Sequence, residues 1–580
     1  MIEKMTKYSW ILLNSDKDSF LEQLRELGIV DIKRSAKPVD EHSESLIGRI
    51  EGIKTRISEL ERGHDARLAS LLAKREELTK ECAGAKVWGD FDNEKLAALG
   101  LDLHYYCCQE KIFNPEWPQQ FPIQIVESTQ GLVWFVVVGN NDGFPLKETA
   151  KPGRPYTEIE PEIAAADSEI DSYRKVLSAE KENIPSMKEE MAALQSDFSL
   201  YLASLKGGDA AEGHLTVFEG FAPETEDAHL KEVFDSMDLV WTSEAACLED
   251  NPPIKLRNNS FSKQFETLTE MYGMPSYNEF DPTIFLSIFF LLFFSMCMGD
   301  AGYGLVLMLV GFLLRKKEGG LAKLWRLIMI LGAGTFVVGI VMGGFFGIDL
   351  TQQKWVPDFL KKIMITGDVT IAGSAYAKQM ILALGIGVVH ICLALIMKAV
   401  WAVKKDGFKN SLSAIGWTLL IVGAVVVLSL GLPGLISESA MKWLIIGIGG
   451  VSALGIFIFN NPDRNPLVNI GAGLWDAYST VSGLLSDVLS YIRLYALGLA
   501  GGMLGGVFND LAGMILGENP TWQWLPFLIL LLVGHGLNIA LSSLGAFVHP
   551  LRLTFVEYFK NSGYEGKGVE YRPLSKKENK

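Results

Sequence analysis

The first half of this 580-residue chain is short of positive charge. Before Asp281 there are 51 acidic side chains and only 30 basic ones. A phosphate-backbone binder needs a basic face, so nucleic acid is excluded as a partner. Phosphate loops of the GxxxxGK[ST] kind are missing as well, since the lone Gly566-Lys567 runs into Gly568. The chain is therefore read as having no ATP site of its own, no catalytic residues and no cofactor. Cysteine is scarce: Cys82, Cys107, Cys108, Cys247, Cys297 and Cys392 form no CxxC pair. They are read as reduced core or membrane residues, and no metal is expected. His42, His64, His104, His214 and His229 are scattered without ligand-like spacing. The opening Met1-Ile-Glu-Lys-Met-Thr-Lys lacks a basic stretch followed by an apolar one. No cleavable signal is expected, and the soluble half is placed in the cytoplasm.

What is present divides unevenly. From Asp281 onward there are 17 acidic and 23 basic side chains, so a half of net charge −21 is followed by one of +6. The mean hydropathy of +0.21 averages over a soluble acidic body and an apolar membrane part. The fold class expected is mainly α: a cytoplasmic arm over 1–276 and a polytopic helical membrane domain over 277–580. In the arm, Tyr8-Ser-Trp-Ile-Leu-Leu reads as a strand, Asp16 to Leu27 as a helix and Gly28-Ile-Val-Asp-Ile as a second strand, giving a small α/β unit. Leu46, Ile50, Ile53, Ile57 and Leu60 recur by fours and threes, which is a coiled-coil seam. A β-rich patch separates this coil, about 44–83, from a second at about 159–206. That second seam runs through Ile163, Ile170, Tyr173, Leu177, Ile184, Met187 and Leu194, with a kink expected at Pro185. Two such helices suggest an antiparallel hairpin with folded α/β ends, a strut or, more plainly, a helical bundle.

Apolar runs near 283–298, 302–314, 324–348, 379–400, 411–431, 441–459, 474–513 and 523–559 predict about eight membrane helices. With the N-terminus inside, cytoplasmic loops carry Arg315, Lys316, Lys317, Lys323 and Arg326, then Lys398, Lys404, Lys405 and Lys409, as the positive-inside rule requires. The last two runs are too long for a simple crossing. Continuous helices there would measure about 60 and about 50 Å at ~1.5 Å per residue, against ~30 Å of hydrocarbon. They must tilt, break or project.

Charge inside these runs carries the functional argument. Arg493 is expected near the middle of the seventh span, where it costs at least ~2.5 kcal/mol. Ser482, Ser486, Ser490, Ala496 and Ala500 share its face, and small residues let another helix approach. In the eighth span His535, Asn538, Ser542, Gly545, His549 and Arg552 make one polar stripe that must face protein or water. Arg493 and Arg552 could instead pair internally with Asp300, Asp476, Asp487 or Glu557. His535 and His549 could relay protons or only hydrogen-bond their neighbours.

Ser490-Tyr-Ile-Arg-Leu-Tyr-Ala-Leu-Gly-Leu-Ala and Val548-His-Pro-Leu-Arg-Leu-Thr-Phe-Val-Glu resemble the seventh- and eighth-helix arginine motifs of the large membrane subunit of rotary V/A-type ATPases, called subunit a or I. Asn251-Pro-Pro-Ile-Lys-Leu, Tyr272-Gly-Met-Pro-Ser-Tyr-Asn-Glu-Phe-Asp-Pro-Thr, Gly299-Asp-Ala-Gly-Tyr-Gly and Gly344-Phe-Phe-Gly-Ile are similar too. In the first half only the two coils and Val217-Phe-Glu-Gly-Phe-Ala-Pro match. The resemblance implies a stator that passes H+ or Na+ through two half-channels against a rotating c/K ring. Arg493 and Arg552 would face the ring carboxylate and favour its ionised form. Asp476, Asp487, Asp300, His535, Asn538, Ser542, His549, Glu557, Ser486 and Ser490 are the candidate channel-lining residues. The implied partners are the c/K ring, peripheral stalk subunits of E/G type, a central-stalk ring-docking subunit of C/d type, membrane lipid and, indirectly, the ATP-hydrolysing A/B head. The implied place is a prokaryotic cell membrane. Where some family members carry carboxylates this chain has Ser479, Gly501 and Ser542, so those relay roles do not transfer. The competing readings are an ion-coupled secondary transporter with a coiled-coil regulatory domain, and a purely structural membrane tether.

Overall fold

The computed structural model describes the chain except for residues 35–39, 64, 99, 130, 140–143, 150–152, 211–213, 238, 316–323, 372–373, 432–435, 459–465, 517–521 and 577–580. His64, Lys316, Lys317 and Lys323, and the end of the 441–459 run, lie outside the described residues. The chain forms two compact units, Ile11–Phe218 with Pro573–Lys580, and Met1–Trp10 with Glu219–Arg572.

In the first of these, α1 (Lys17–Leu27) buries Phe20, Leu21 and Leu24 on one face and ends at Gly28 in the left-handed conformation. The seam expected at 44–83 is two helices, α2 (Glu41–Arg62) and α3 (Ala66–Lys86). Gly63 closes α2 with φ 69°, and the Asp65 carboxylate opens α3 by accepting the Arg67 and Leu68 amides. After the short helix α4 (Asn93–Ala98) comes an antiparallel sheet with Leu132–Val138 between Leu103–Gln109 and Ile123–Thr129, and a second short helix, α5 (Trp117–Gln120), lies in the chain between the latter two strands. Alternate residues Val133, Phe135 and Val137 are buried there, as period-two patterning demands. The second seam is α6 (Tyr156–Glu182) and α7 (Ile184–Lys206), separated by Asn183. The kink expected at Pro185 is a break just before it, because a proline fits the first turn of a helix but not its interior. Helix α2 packs on α7 and α3 on α6, the pairing of an antiparallel hairpin. Leu46, Ile57, Leu60, Ile170, Leu177 and Leu194 are buried along it.

The other unit holds the short helices α8 (Asp227–Asp235) and α9 (Glu266–Tyr272) and the apolar helices. These are α10 (Thr283–Met298), α11 (Ala301–Leu314), α12 (Trp325–Met342), α14 (Lys378–Asn410), α15 (Leu412–Gly431), α16 (Glu438–Ala453), α17 (Pro466–Ser490), α18 (Ile492–Leu516) and α19 (Trp524–Arg552). Helix α13 (Asp358–Ile363) lies between α12 and α14, and α19 continues through a π-helical segment, Leu553–Tyr558, into α20 (Phe559–Ser562). Among the described residues six stretches are long and apolar enough to cross a membrane, and α10 and α11 are shorter apolar helices. The third apolar run does not stay helical to 348. Gly343 ends α12 at φ 80°, and Gly344–Phe345 pairs with Ile348–Asp349 in a tight hairpin. The 474–513 run breaks at Tyr491, between α17 and α18. Phe290, Phe293, Met298, Tyr303, Tyr491 and Leu494 are buried in the core that α10, α18 and α19 share. Helices α11 and α12 approach through Gly304, Gly332 and Gly339, where a Cβ would come within 2.9 Å of the opposite backbone.

Candidate functional site in the last two spans

Asp300 is the most committed of the expected polar residues. It is 1% exposed. Its Oδ1 caps α11 by accepting the Tyr303 amide at 3.1 Å and also accepts the Phe346 amide at 2.8 Å, while Oδ2 accepts the Gly347 amide at 2.8 Å. Phe346 and Gly347 both have positive φ, 48° and 72°. That conformation is costly for a bulky residue such as Phe346, and the carboxylate holds it in place.

Above this turn the expected stripe on α19 becomes a connected chain. The Tyr303 hydroxyl lies 2.9 Å from His535 Nδ1 and accepts from Asn538 Nδ2 at 2.7 Å. His535 Nε2 is 3.0 Å from Asn509 Oδ1, and Asn509 donates to the Phe346 carbonyl at 2.7 Å. Asn538 also donates to the Gly501 carbonyl at 2.9 Å, and its Oδ1 accepts from Ser542 at 3.1 Å. The packing at Gly501 is close, since a Cβ there would stand 3.1 Å from the Ser542 hydroxyl. A cavity of about 400 Å3 adjoins the turn, walled by Asp300, Tyr495, Gly498, Gly502 and Gly506. It has room for on the order of ten waters.

A second polar group gathers near the break in the seventh span. Arg493 falls in the first turn of α18, just past the break, and not at a helix centre. Its Nη1 is buried without a hydrogen-bond partner among the described residues. His549 Nδ1, Glu557 Oε2 and the Tyr558 hydroxyl are also buried and unpartnered among them. Glu557 is 2% exposed and lies in the fields of Asp487, Arg552 and Arg493. Asn561 bridges the two carboxylate residues, donating to Asp487 Oδ2 at 2.8 Å and to the Glu557 carbonyl at 2.6 Å. Arg552 is exposed. Among the described residues neither arginine makes a salt bridge within 4.0 Å, so the internal ion pairs weighed from sequence do not form there.

The structure thus joins Asp300 with His535, Asn538 and Ser542, and Asp487 with Glu557. Asp476 and Ser486 lie back along α17, their carbonyls accepting the Ser479 and Ser490 hydroxyls at 3.2 and 3.0 Å. Tyr303, Asn509, Asn561, Tyr491 and His390 are not among the candidates named from sequence, although Tyr303 and Tyr491 stand inside the motifs that begin at Gly299 and Ser490. His390 had a signal, being a histidine inside the apolar run of α14; the others are ordinary polar residues until the helices pack.

The family described as V-type ATPase 116kDa subunit matches residues 158–348 and 480–576. Among curated relatives, A-type ATP synthase subunit I of Methanocaldococcus jannaschii is 30% identical over 73% of this chain and 64% of its own length. Its counterpart in Pyrococcus horikoshii is 33% identical over 57% of this chain and 48% of its own. V-type ATP synthase subunit I of Borreliella burgdorferi is 25% identical over 99% of this chain and 100% of its own. The chain thus spans about half to two thirds of these two archaeal relatives and the whole of the bacterial one.

Proposed function

The chain belongs to the V-type ATPase 116kDa subunit family, and from that premise we propose that it is the stationary, non-catalytic subunit I of a rotary ATPase. In this reading 277–580 is a membrane domain of about eight transmembrane helices. Residues 1–276 are a cytoplasmic coiled-coil arm tied to E/G-type peripheral stalks. A c/K ring of small membrane subunits, each site with one carboxylate, turns past α18 and α19 on a C/d-type docking subunit. ATP is handled by the A/B head. The ion is H+ or Na+, and the membrane is a prokaryotic cell membrane. A secondary transporter is not favoured, because the relatives are named as ATP synthase subunits.

The observation that carries the reading is the Nη1 of Arg493, buried without a hydrogen-bond partner among the described residues. A guanidinium N–H buried in an apolar helix bundle without an acceptor is expensive, and a partner that arrives from outside offsets that cost. A ring carboxylate does so. Its ionised form is favoured opposite Arg493 and Arg552, so the incoming site releases its ion and cannot carry it straight through. The cavity beside Gly498 and Gly502 supports one aqueous half-channel, and the Asp487–Glu557 group supports the other. Asp476, Ser486, Ser490, His535, Asn538, Ser542 and His549 belong to the same proposal as lining residues.

The test is Arg493→Ala in the whole complex reconstituted into vesicles. Ion uptake driven by ATP falls to background while the subunits still copurify. Uptake at the wild-type ratio of ions to ATP would overturn the reading.

A further inference from the structure

Tyr491, two residues before Arg493, is where the long apolar stretch Gly473–Leu516 is interrupted, between α17 and α18. Around it the bonds are the short-range Tyr491 N–H to Val488 carbonyl and Leu494 N–H to Tyr491 carbonyl, both 3.1 Å. A break of this kind pivots unless tertiary contacts hold it. The Tyr491 ring is fully buried, held by α14 and α10, with a third element behind His390. Helix α14 offers a slot at Gly387, where a Cβ would stand 2.4 Å from the ring. One turn further along, His390 Nδ1 lies 2.9 Å from the Tyr491 hydroxyl. Phe293 of α10 packs edge-on against both rings, at 5.6 and 5.1 Å. Tyr558, in the π-helical segment after Arg552, stacks on His390 at 4.5 Å and 4°.

We propose that Gly387 and His390 of α14 form a clamp on Tyr491 that fixes the direction of Arg493, making both positioning residues for ion transfer. The inference rests on the rotary reading. The ring carboxylate must meet a guanidinium held at a constant depth and angle at each step. A pivot at Tyr491 would move Arg493 as the ring pulled on it. His390 reaches both arginine-bearing segments at once, bonding to Tyr491 on one and stacking on Tyr558 on the other. It therefore also sets their mutual register. Nothing in this role needs His390 to gain or lose a proton; its hydrogen bond and flat face suffice.

The experiment uses the assembled complex in vesicles and compares Tyr491→Phe, Gly387→Ala, His390→Leu and His390→Gln with Arg493→Ala. ATP hydrolysis is measured together with lumen acidification by a pH dye and uptake of radiolabelled sodium. Tyr491→Phe and Gly387→Ala keep assembly and hydrolysis but lower the ions moved per ATP at least about threefold, because small misplacements of a reacting group are strongly penalised. His390→Gln, which keeps a hydrogen-bonding group, recovers part of what His390→Leu loses. A merely structural role would reduce assembled complex and scale transport and hydrolysis together, leaving their ratio unchanged. Wild-type ratios in Tyr491→Phe and Gly387→Ala overturn the clamp. Failure of Tyr491→Phe to assemble also overturns it, since that change removes one oxygen from a role in coupling. If Arg493→Ala stays coupled, the rotary reading itself fails, whatever the clamp variants do.

Discussion

Asp300 Oδ1 accepts the Phe346 amide at 2.8 Å, joining the start of α11 to a turn 46 residues further on. The same carboxylate serves Tyr303 and Gly347, so three backbone donors depend on one side chain. Asp300→Ala leaves them without their acceptor, at ~1–3 kcal/mol for each that stays unsatisfied. The expected result is a lower melting temperature of the purified chain in detergent, with Asp300→Asn falling between it and wild type. A channel role predicts the opposite pattern: Asp300→Asn with wild-type melting and no transport.

Asn538 ties α19 to α11 and to α18 by donating to the Tyr303 hydroxyl and to the Gly501 carbonyl. Asn538→Asp removes both donors and sets a carboxylate against a carbonyl. It lowers both assembly and melting temperature by more than Asn538→Ala, because a buried unpaired charge costs more than a lost amide. Equal melting temperatures for the two variants would show that these bonds carry little of the packing.

In the unit that holds α2 and α3, Asp65 caps α3 while meeting Arg56 at 2.9 Å and the Tyr173 hydroxyl at 3.1 Å. The Leu68 amide, then Arg56 and Tyr173, hold its carboxyl below the usual carboxylate range. A depressed folded-state pKa means that the stabilisation is complete above the unfolded value of about 3.9 and is lost as pH falls through the folded one. Asp65→Ala therefore destabilises by about 0.5–2 kcal/mol at neutral pH, the usual cost of a lost cap. In thermal melts of the full chain, its deficit relative to wild type shrinks on acidification below about pH 4. A deficit that is constant from pH 7 to pH 3 would show that the charge on Asp65 plays no part.

The stretch after α20 returns to the segment before α10. The Gly568 amide donates to the Met274 carbonyl at 2.8 Å, and the Tyr564 hydroxyl to the Gly273 carbonyl at 2.8 Å. A Cβ on Gly568 would lie 2.0 Å from the Pro275 carbonyl oxygen. Gly568→Ala is expected to loosen this stretch and make the chain cleave faster with trypsin after Lys567. Unchanged cleavage would mean that the contact adapts without opening.

The polar residues of the last two spans differ in how far sequence discloses them. His535, Asn538 and Ser542 were legible, since spacings of three and four place them on one face of a helix. Tyr303 and Asn509 were not, because a tyrosine and an asparagine have no periodic signature and acquire meaning only when α11, α18 and α19 meet. The arm shows the same division. Leu46, Ile57 and Leu60 announce a seam, and Gly63 with Asp65 carries both signals of the break between α2 and α3, a left-handed terminator followed by a cap.

From the sequence alone came the acidic body and the apolar helices, the two seams, and Arg493 and Arg552 as charges that an apolar surround must compensate. These are local properties, set by composition and by the helical period. Only the tertiary structure decided that Asp300 is taken up by backbone amides, that Asp487 and Glu557 share Asn561, and that Arg493 follows a break held by α14. Each of those depends on which side chains from distant segments come within about 3 Å, the range over which hydrogen bonds act. Positions tens or hundreds of residues apart in the chain are brought to that range by helix packing, which no local pattern encodes.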